Sequence, residues 1–303
     1  MMIRKIFKAI RNPRLILIYL LGFKVFRKIP DSLYLKIIYQ LVMGKKLDLK
    51  NPQTFNEKLQ WLKINDRKSQ YTQIVDKFEV RKYIAKEIGE EYLIPLLGVY
   101  DNFDEIDFET LPNQFVLKPT HTSGNVYVCK DKSQINYDEL KSEINNWLKR
   151  KYYWIHREWP YQNVKPRIIC EKYMVDESSE GLKDYKFMCF NGEVKCSFVC
   201  SNRDSKAGLS LDFYDMNWEI LPFERKYPNS GTLIPKPTTF DKMVNYAGKL
   251  SRDMFFVRVD FYEVDGQLYF GELTLYPGAG LEEFTPESYD ELLGSWIKLP
   301  INN

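Results

Sequence analysis

The sequence is poor in the residues on which zinc and triad chemistry depend. Its two histidines, His121 and His156, share no metal-ligand spacing, so neither a zinc centre nor a histidine-based hydrolase has much to build on. Five cysteines, Cys129, Cys170, Cys189, Cys196 and Cys200, form no Cys-x-x-Cys pair. Their odd number in a chain of 303 residues points to reduced thiols in a cytosolic protein, and their apolar or β-branched neighbours to buried positions. There is no Walker A loop, no dinucleotide-binding glycine fingerprint, no internal repeat and no low-complexity tract. A long apolar run is missing too. The stretch from Leu15 to Phe26 is broken by Gly22 and Lys24, is too short to span a bilayer, and is not followed by a small-residue cleavage site.

What is present is an ordinary folding composition, 44% hydrophobic and 28% charged, on a chain long enough for two or three lobes. The net charge of +3 hides an asymmetry. Residues 1–50 carry twelve Lys and Arg against Asp31 and Asp48, and the remainder is net acidic. A basic, apolar helix within residues 1–30 can lie on an anionic membrane, here the inner face, or can pack on its own domain with a solvated basic edge. The acidic remainder, and the lack of any recognisable module, argue against a nucleic-acid partner.

Residues 1–50 read as two or three helices interrupted near Pro13 and Pro30. Thr54 and Glu57 form a capping box ahead of a helix with Phe55, Leu59, Trp61 and Leu62 on its apolar face. A helix is expected over Asp76–Gly89 and a strand over Tyr92–Val99. Phe115–Lys118 and Asn125–Lys130 are β-rich and enclose the polar loop Pro119–Gly124. A helix over Tyr137–Lys151 follows, then strands over Arg167–Met174 and Tyr185–Cys200, the latter turning at Asn191-Gly192. Lys236–Leu250 is helical, and Phe255–Leu275 is a hairpin. Hairpins interleaved with helices indicate an α+β fold and not a doubly wound parallel sheet.

That last hairpin carries the strongest chemical pattern. A two-residue Asp265-Gly266 turn would pair Val264 with Gln267 and send Asp260 and Glu272 to opposite faces. A three-residue loop, Val264–Gly266, pairs Glu263 with Gln267 and suits a left-handed glycine. It sets Arg258 opposite Glu272 and gathers Arg258, Asp260, Glu272 and Thr274 on one face, with the two acids as diagonal neighbours. Two acids on an apolar hairpin call for a cation. Mg²⁺, which takes hard oxygen ligands and leaves positions for phosphates, is one solution. A cross-strand Arg258–Glu272 salt bridge on a surface hairpin is the other.

Arg258-x-Asp260, Gly271-Glu272-Leu273-Thr274 and Pro277-Gly278 together resemble the C-terminal metal-binding hairpin of ATP-grasp enzymes, with Thr274 standing where an asparagine is typical. Upstream, Val116–Pro119 and the loop to Gly124 look like the lid strand, and Asp76-Lys77 like the earlier phosphate-binding lysine. Glu171–Met174 resembles the adenine hinge. Asn51–Trp61, Lys118–Gly124 and Asp184–Phe187 are similar to the TupA-like branch, associated with teichuronopeptide and surface-polysaccharide biosynthesis. The resemblance covers roughly residues 51–285. It implies an ATP-grasp fold divided into a basic helical extension (1–50), an N-terminal lobe (51–112), a lid (113–175) and a catalytic subdomain (176–303).

It also implies a carboxylate–amine ligase that uses ATP and Mg²⁺ and forms an amide through an acyl phosphate, the acid being a glycan uronate or an amino acid. Lys77, Lys118, Thr120, Thr122, Ser123 and Gly124 would meet the phosphates. Glu171, Lys172, Met174 and Asp176 would meet the base and ribose. Asp260, Glu272 and Thr274 would hold the metal, Arg258 would stabilise the transferred group, and Lys186 and Arg203 would grip an acidic substrate. Two other readings stand beside it. A sugar-nucleotide glycosyltransferase would want an Asp-x-Asp after a strand, for which Glu105-Ile106-Asp107 is a poor substitute. A non-catalytic glycan-binding protein would leave the acids without metal. The aromatic and basic stretch Trp147–Tyr161 could stack sugars or form an amphipathic lid element.

Overall fold

The computed structural model describes residues 13–176, 182–201 and 208–301. The chain opens with α1 (Pro13–Leu21) and α2 (Asp31–Met43), the latter closed by Gly44 in the left-handed conformation at φ 71°. Tyr34, Leu35, Ile38, Tyr39 and Met43 bury one side of α2 in a small core of its own, while Leu17, Tyr19 and Leu20 of α1 are exposed. α3 (Phe55–Asn65) starts with the expected capping box: Glu57 N–H donates to Thr54 Oγ1 and Thr54 N–H to Glu57 Oε2, both at 3.2 Å. α4 (Gln70–Val75) follows. The helix expected from Asp76 is present as α5 (Val80–Glu87) behind a capping turn, in which Asp76 Oδ1 accepts from Phe78 and Glu79 N–H at 2.9 and 3.2 Å.

A first sheet, ordered β1–β4–β2–β3, contains β1 (Leu96–Tyr100), β2 (Phe115–Pro119), β3 (Tyr127–Cys129) and β4 (Ile168–Lys172). α6 (Tyr137–Leu148) covers it, burying Leu140, Ile144 and Trp147 against Phe115, Leu117, Ile168 and Cys170. The short α7 (Tyr153–His156) leads back to β4. A second sheet, ordered β10–β9–β5–β6–β7, contains β5 (Asp184–Phe190), β6 (Glu193–Ser201), β7 (Ser210–Tyr214), β9 (Phe256–Val264) and β10 (Gln267–Thr274). Between them in sequence come β8 (Glu224–Arg225), which pairs with β11 (Phe284–Thr285), and α8 (Phe240–Ser251). α9 (Ser288–Trp296) ends the fold. The β5–β6 turn is the expected Asn191-Gly192, with φ of 49° and 83°, a pair of left-handed residues that matches strand twist.

The strand pairings within these sheets are antiparallel, so the architecture is α+β as the sequence indicated. The larger core lies behind the second sheet, where Val257, Val259 and Phe261 of β9 meet Met243, Ala247 and Leu250 of α8. Alternation along β9 therefore turns Arg258 and Asp260 to the other side. The five cysteines are all free thiols, four of them buried. No helix among the described residues is long and apolar enough to cross a membrane.

Candidate functional site

The β9–β10 hairpin differs from expectation in its turn. Val264 pairs with Gln267, so the turn is the two-residue Asp265-Gly266, with φ of 50° and 76°. A regular ladder from that turn would separate Asp260 from Glu272. A bulge at Gly271 corrects this: below it Phe270 pairs with Phe261, and above it Glu272 pairs with Asp260 and Thr274 with Arg258. The two acids are thus direct cross-strand neighbours instead of diagonal ones. A Cβ on residue 271 would stand 3.1 Å from the Asp260 carbonyl oxygen and 3.1 Å from the Tyr262 ring, which accounts for glycine there.

β5 completes the row, because Lys186 pairs with Asp260 from the other side. Asp260, 1% exposed, accepts from Arg258 Nε at 2.7 Å and Nη2 at 2.6 Å, and from Lys186 Nζ. Lys186 also pairs with Asp184 at 2.6 Å. Arg258 Nη2 continues to Glu272 Oε1 at 2.8 Å, which also accepts from Thr274 Oγ1 at 3.0 Å. The salt-bridge solution is present and extends to both acids, since the guanidinium bridges them across the strands. Burial lowers the Lys186 pKa, but Asp184 and Asp260 overcome that and leave it raised. Glu272 is held down at about 2; burial pushes it up, but Arg258, Lys186 and Lys77 prevail. Burial raises Asp260 against the pull of Arg258 and Lys186.

The first sheet supplies the facing wall. Lys118 Nζ donates to Glu171 Oε2 at 2.8 Å, and Arg81 Nη1 reaches Glu171 Oε1 at 3.3 Å. Lys77, just after the Asp76 cap, donates its Nζ to the Thr122 carbonyl oxygen, and burial lowers its pKa. Between the walls lies a cleft of about 460 Å³, lined by five cations, Lys77, Arg81, Lys118, Lys186 and Arg258, and four acids, Glu171, Asp184, Asp260 and Glu272. Such a near-balanced, cation-rich cleft suits a polyanion that arrives with its own counter-charge.

Of the residues singled out from sequence, Lys77, Lys118, Ser123, Gly124, Glu171, Lys186, Arg258, Asp260 and Glu272 line this cleft. Thr274 lines an adjoining cavity of about 370 Å³, which shares Ser123, Tyr161, Arg258 and Glu272 with the cleft. Thr120 and Thr122 are buried instead. Thr120 Oγ1 donates to the Lys165 carbonyl at 3.0 Å, and Thr122 Oγ1 to Asn125 Oδ1 at 3.2 Å, so these hydroxyls brace the loop. Lys172 at the end of β4 is exposed; it, Met174 and the buried Asp176 are not among the lining residues. Arg203 lies outside the described residues. Arg81 and Asp184 were missed. Asp184 had a legible signal, two positions before Lys186 on a strand, where both face one side.

Two hard carboxylates side by side with a hydroxyl next in line are a donor set compatible with Mg²⁺ completed by phosphate oxygens, and they already accept one bridging cationic group. Among the described residues no group of three or more His, Cys, Asp or Glu is arranged to hold a metal by itself. The Trp147–Tyr161 stretch turns its aromatic residues and Arg157 inward and leaves Lys149, Arg150 and Lys151 exposed. Trp147 is in the first-sheet core, Arg157 lies 4.3 Å over the Tyr34 ring, and Tyr152 and Tyr161 line the adjoining cavity.

Compared with known proteins, residues 57–298 match the profile of one family, TupA-like ATPgrasp. No curated protein matches the chain. Among solved structures it is similar to a D-alanine–D-alanine ligase from Bacillus anthracis complexed with ATP, at 18% identity and TM-score 0.43, covering 74% of this chain and 65% of that one. It is also similar to an L-amino acid ligase from Bacillus licheniformis, at 12% identity and TM-score 0.47, covering 89% and 62%. The chain thus spans less than two thirds of the length of either.

Proposed function

From the premise that this chain belongs to the TupA-like ATPgrasp family, we propose that it is an ATP-dependent carboxylate–amine ligase acting on a cell-surface polysaccharide or its precursor. The observation that carries this reading is the convergence of Lys77 and Lys118 from one wall with Arg258, Asp260 and Glu272 from the other on a single cleft. Phosphoryl transfer asks little covalent chemistry of a protein and much charge placement, which is what these residues offer. Lys77 and Lys118 neutralise phosphate oxygens. Lys118 leaves Glu171 with Arg81 as its remaining partner when it turns to the nucleotide. Asp260 and Glu272, with the Thr274 hydroxyl beside them, would hold Mg²⁺, which when bound shields the negative charge between phosphate groups. Arg258 is fixed by bonds to both acids, which supports a role in stabilising charge that develops on the transferred group. Lys186, held by Asp184 and Asp260, would steady an acidic substrate.

The basic N-terminal segment supports a further part of the reading, attachment to the inner face of an anionic membrane. Leu17, Tyr19, Leu20, Phe23 and Val25 are exposed on and just after α1, next to Lys24, Arg27 and Lys28. Flotation with acidic liposomes should recover the full chain and not one lacking residues 1–30; equal recovery of both would remove this part.

The activity is tested by incubation with Mg-ATP, a panel of amino acids and uronate-bearing glycans, measuring ADP, phosphate and amide. ADP and phosphate formed together with an amide support the ligase. Release of UDP from a sugar nucleotide without ATP consumption would defeat it in favour of a glycosyltransferase. Asp260→Asn and Glu272→Gln should abolish turnover in protein that still folds, and wild-type rates in both would remove the metal assignment.

A further inference from the structure

The cavity adjoining the cleft contains a buried acid with no bonded partner among the described residues. Glu158 is 5% exposed and lines the cavity together with Tyr152, His156, Tyr161, Arg258, Glu272 and Thr274. Its carboxylate accepts no hydrogen bond and forms no ion pair among the described residues. Other charges nearby are already engaged. Lys63 Nζ donates to Gln60 Oε1 at 3.0 Å and to the carbonyls of His156 at 3.0 Å and Ala279 at 2.8 Å. It offsets the Glu158 charge across space without bonding it. On the opposite side Glu282 is paired with Arg225 at 3.2 Å and Lys226 at 2.9 Å.

The backbone holds Glu158 in place from both sides. Arg157 pairs with Asp31 at 3.3 Å and lies over Tyr34, while the Trp159 ring is 6.2 Å from that of Tyr71. A buried carboxylate lacking a donor costs stability, and one held in a cavity wall is explained when a ligand brings the donor.

Building on the ligase reading, we propose that this cavity takes the amine substrate as a primary ammonium, and that Glu158 receives it and accepts the proton it must lose. The step balances. R–NH₃⁺ gives one proton to the Glu158 carboxylate, and the freed nitrogen lone pair attacks the acyl-phosphate carbon. The C–N bond forms, the C–O bond to phosphate breaks, and the second nitrogen proton leaves with the phosphate. Glu158 then returns its proton to solvent. Burial raises the Glu158 pKa against the opposing charge of Lys63, which makes it a stronger base than an exposed carboxylate. The groups around it that also titrate or carry charge are Lys63 on α3, His156 on α7, Tyr152, Tyr161, Lys226, Arg258 on β9, and Glu272, Tyr276 and Glu282 on or after β10.

Hydroxylamine separates this proposal from its premise. It is largely uncharged near neutrality and attacks an acyl phosphate without a protein base. With the full chain, Mg-ATP and the acid panel, wild type should form hydroxamate from its acid. It should form amide when amino acids or glucosamine replace hydroxylamine. Glu158→Gln should keep hydroxamate formation within about threefold of wild type while amide formation falls by about 10²-fold or more, and Glu158→Asp should recover part of it. Amide formation by wild type should also depend on a basic group that is absent from its hydroxamate pH profile, which tests the idea without any substitution. Equal loss of both products, unimpaired amide formation in Glu158→Gln, identical pH profiles, or hydroxamate without amide from any amine would overturn the proposal. If wild type forms no hydroxamate from any acid, the ligase reading fails and takes this inference with it.

Discussion

The two walls of the cleft carry similar charges in different ways. On the first sheet, Glu171 is shared by Lys118 and Arg81, and the Lys118 side chain remains 25% exposed. On the second, Asp260 is almost wholly buried and gripped by Arg258 and Lys186, with Asp184 and Glu272 completing the network. Lys118 is a quarter exposed and can leave the buried Glu171 to Arg81, so that contact opens at little cost. A buried network cannot lose one member without stranding another. Removing a charge from the first wall is therefore mainly a binding experiment, whereas removing one from the second tests folding as well.

The largest expected effect is that of Arg258→Ala. It leaves Asp260 and Glu272 facing each other with Lys186 as the near cation, at a cost of about 3–5 kcal/mol in urea denaturation, along with loss of ATP-dependent turnover. A cost below about 1 kcal/mol would mean that the second wall is no more tightly bound than the first.

Acid should weaken the fold through its two histidines, one beside each wall. His121, bonded to the Trp147 carbonyl at 3.1 Å, is lowered from the ordinary 6.5 to about 4 by burial, with Lys77 adding to the effect. His156 is likewise lowered to about 4 by burial and by Lys63. Both stay neutral in the folded chain where the unfolded chain would already be protonated. Their contribution is complete above pH 6.5, declines as pH falls through the interval, and is gone below about 4. Each accounts for up to about 3 kcal/mol. Urea midpoints at stepped pH should show the decline, and His121→Asn should flatten it. Glu272, depressed to about 2, adds a later loss below its ordinary 4.5, but its side chain is 39% exposed and solvent screening makes that contribution small.

Gly271→Val should cost about 1–3 kcal/mol, because the new side chain meets the Asp260 backbone within the bulge. Turnover should fall further than stability, since the same backbone sets Asp260 against Glu272. Lys118→Ala should have the smallest effect on stability, about 1 kcal/mol or less, because Arg81 still serves Glu171. Its effect should appear as a raised KM for ATP; an unchanged KM would remove Lys118 from the nucleotide's contacts.

Local chemistry was well legible in the sequence. The Thr54–Glu57 capping box, the Asn191-Gly192 turn and the α+β arrangement of hairpins are set by neighbours a few residues apart, and each is present. The hairpin was half legible. Its charged face was recognised, but its register was assigned to the turn, because counting pairs from a loop assumes an unbroken ladder. The isolated Gly271 inside a strand was the available signal for a bulge. Thr120 and Thr122 looked like phosphate-binding hydroxyls until the tertiary contact with Lys165 and the local one with Asn125 claimed them. Glu158 had no signal at all. Its position depends on Arg157 reaching Asp31 across the chain, a contact that no periodicity encodes.

The Gly271 bulge also divides the hairpin into two segments of opposite phase. Toward the tip, Phe270 stacks edge-on with Phe261 in the core; toward the base, Glu272 and Thr274 stand beside Asp260 and Arg258. Because the phase change lies at residue 271 and not in the turn, the tip is mechanically separate from the charged end. Residues inserted between Asp265 and Gly266 would lengthen an outer loop and leave Asp260 against Glu272. The hairpin tip is thus a place where this fold can accept a graft, such as a reporter or a specificity loop, a few residues from its most tightly bound charges.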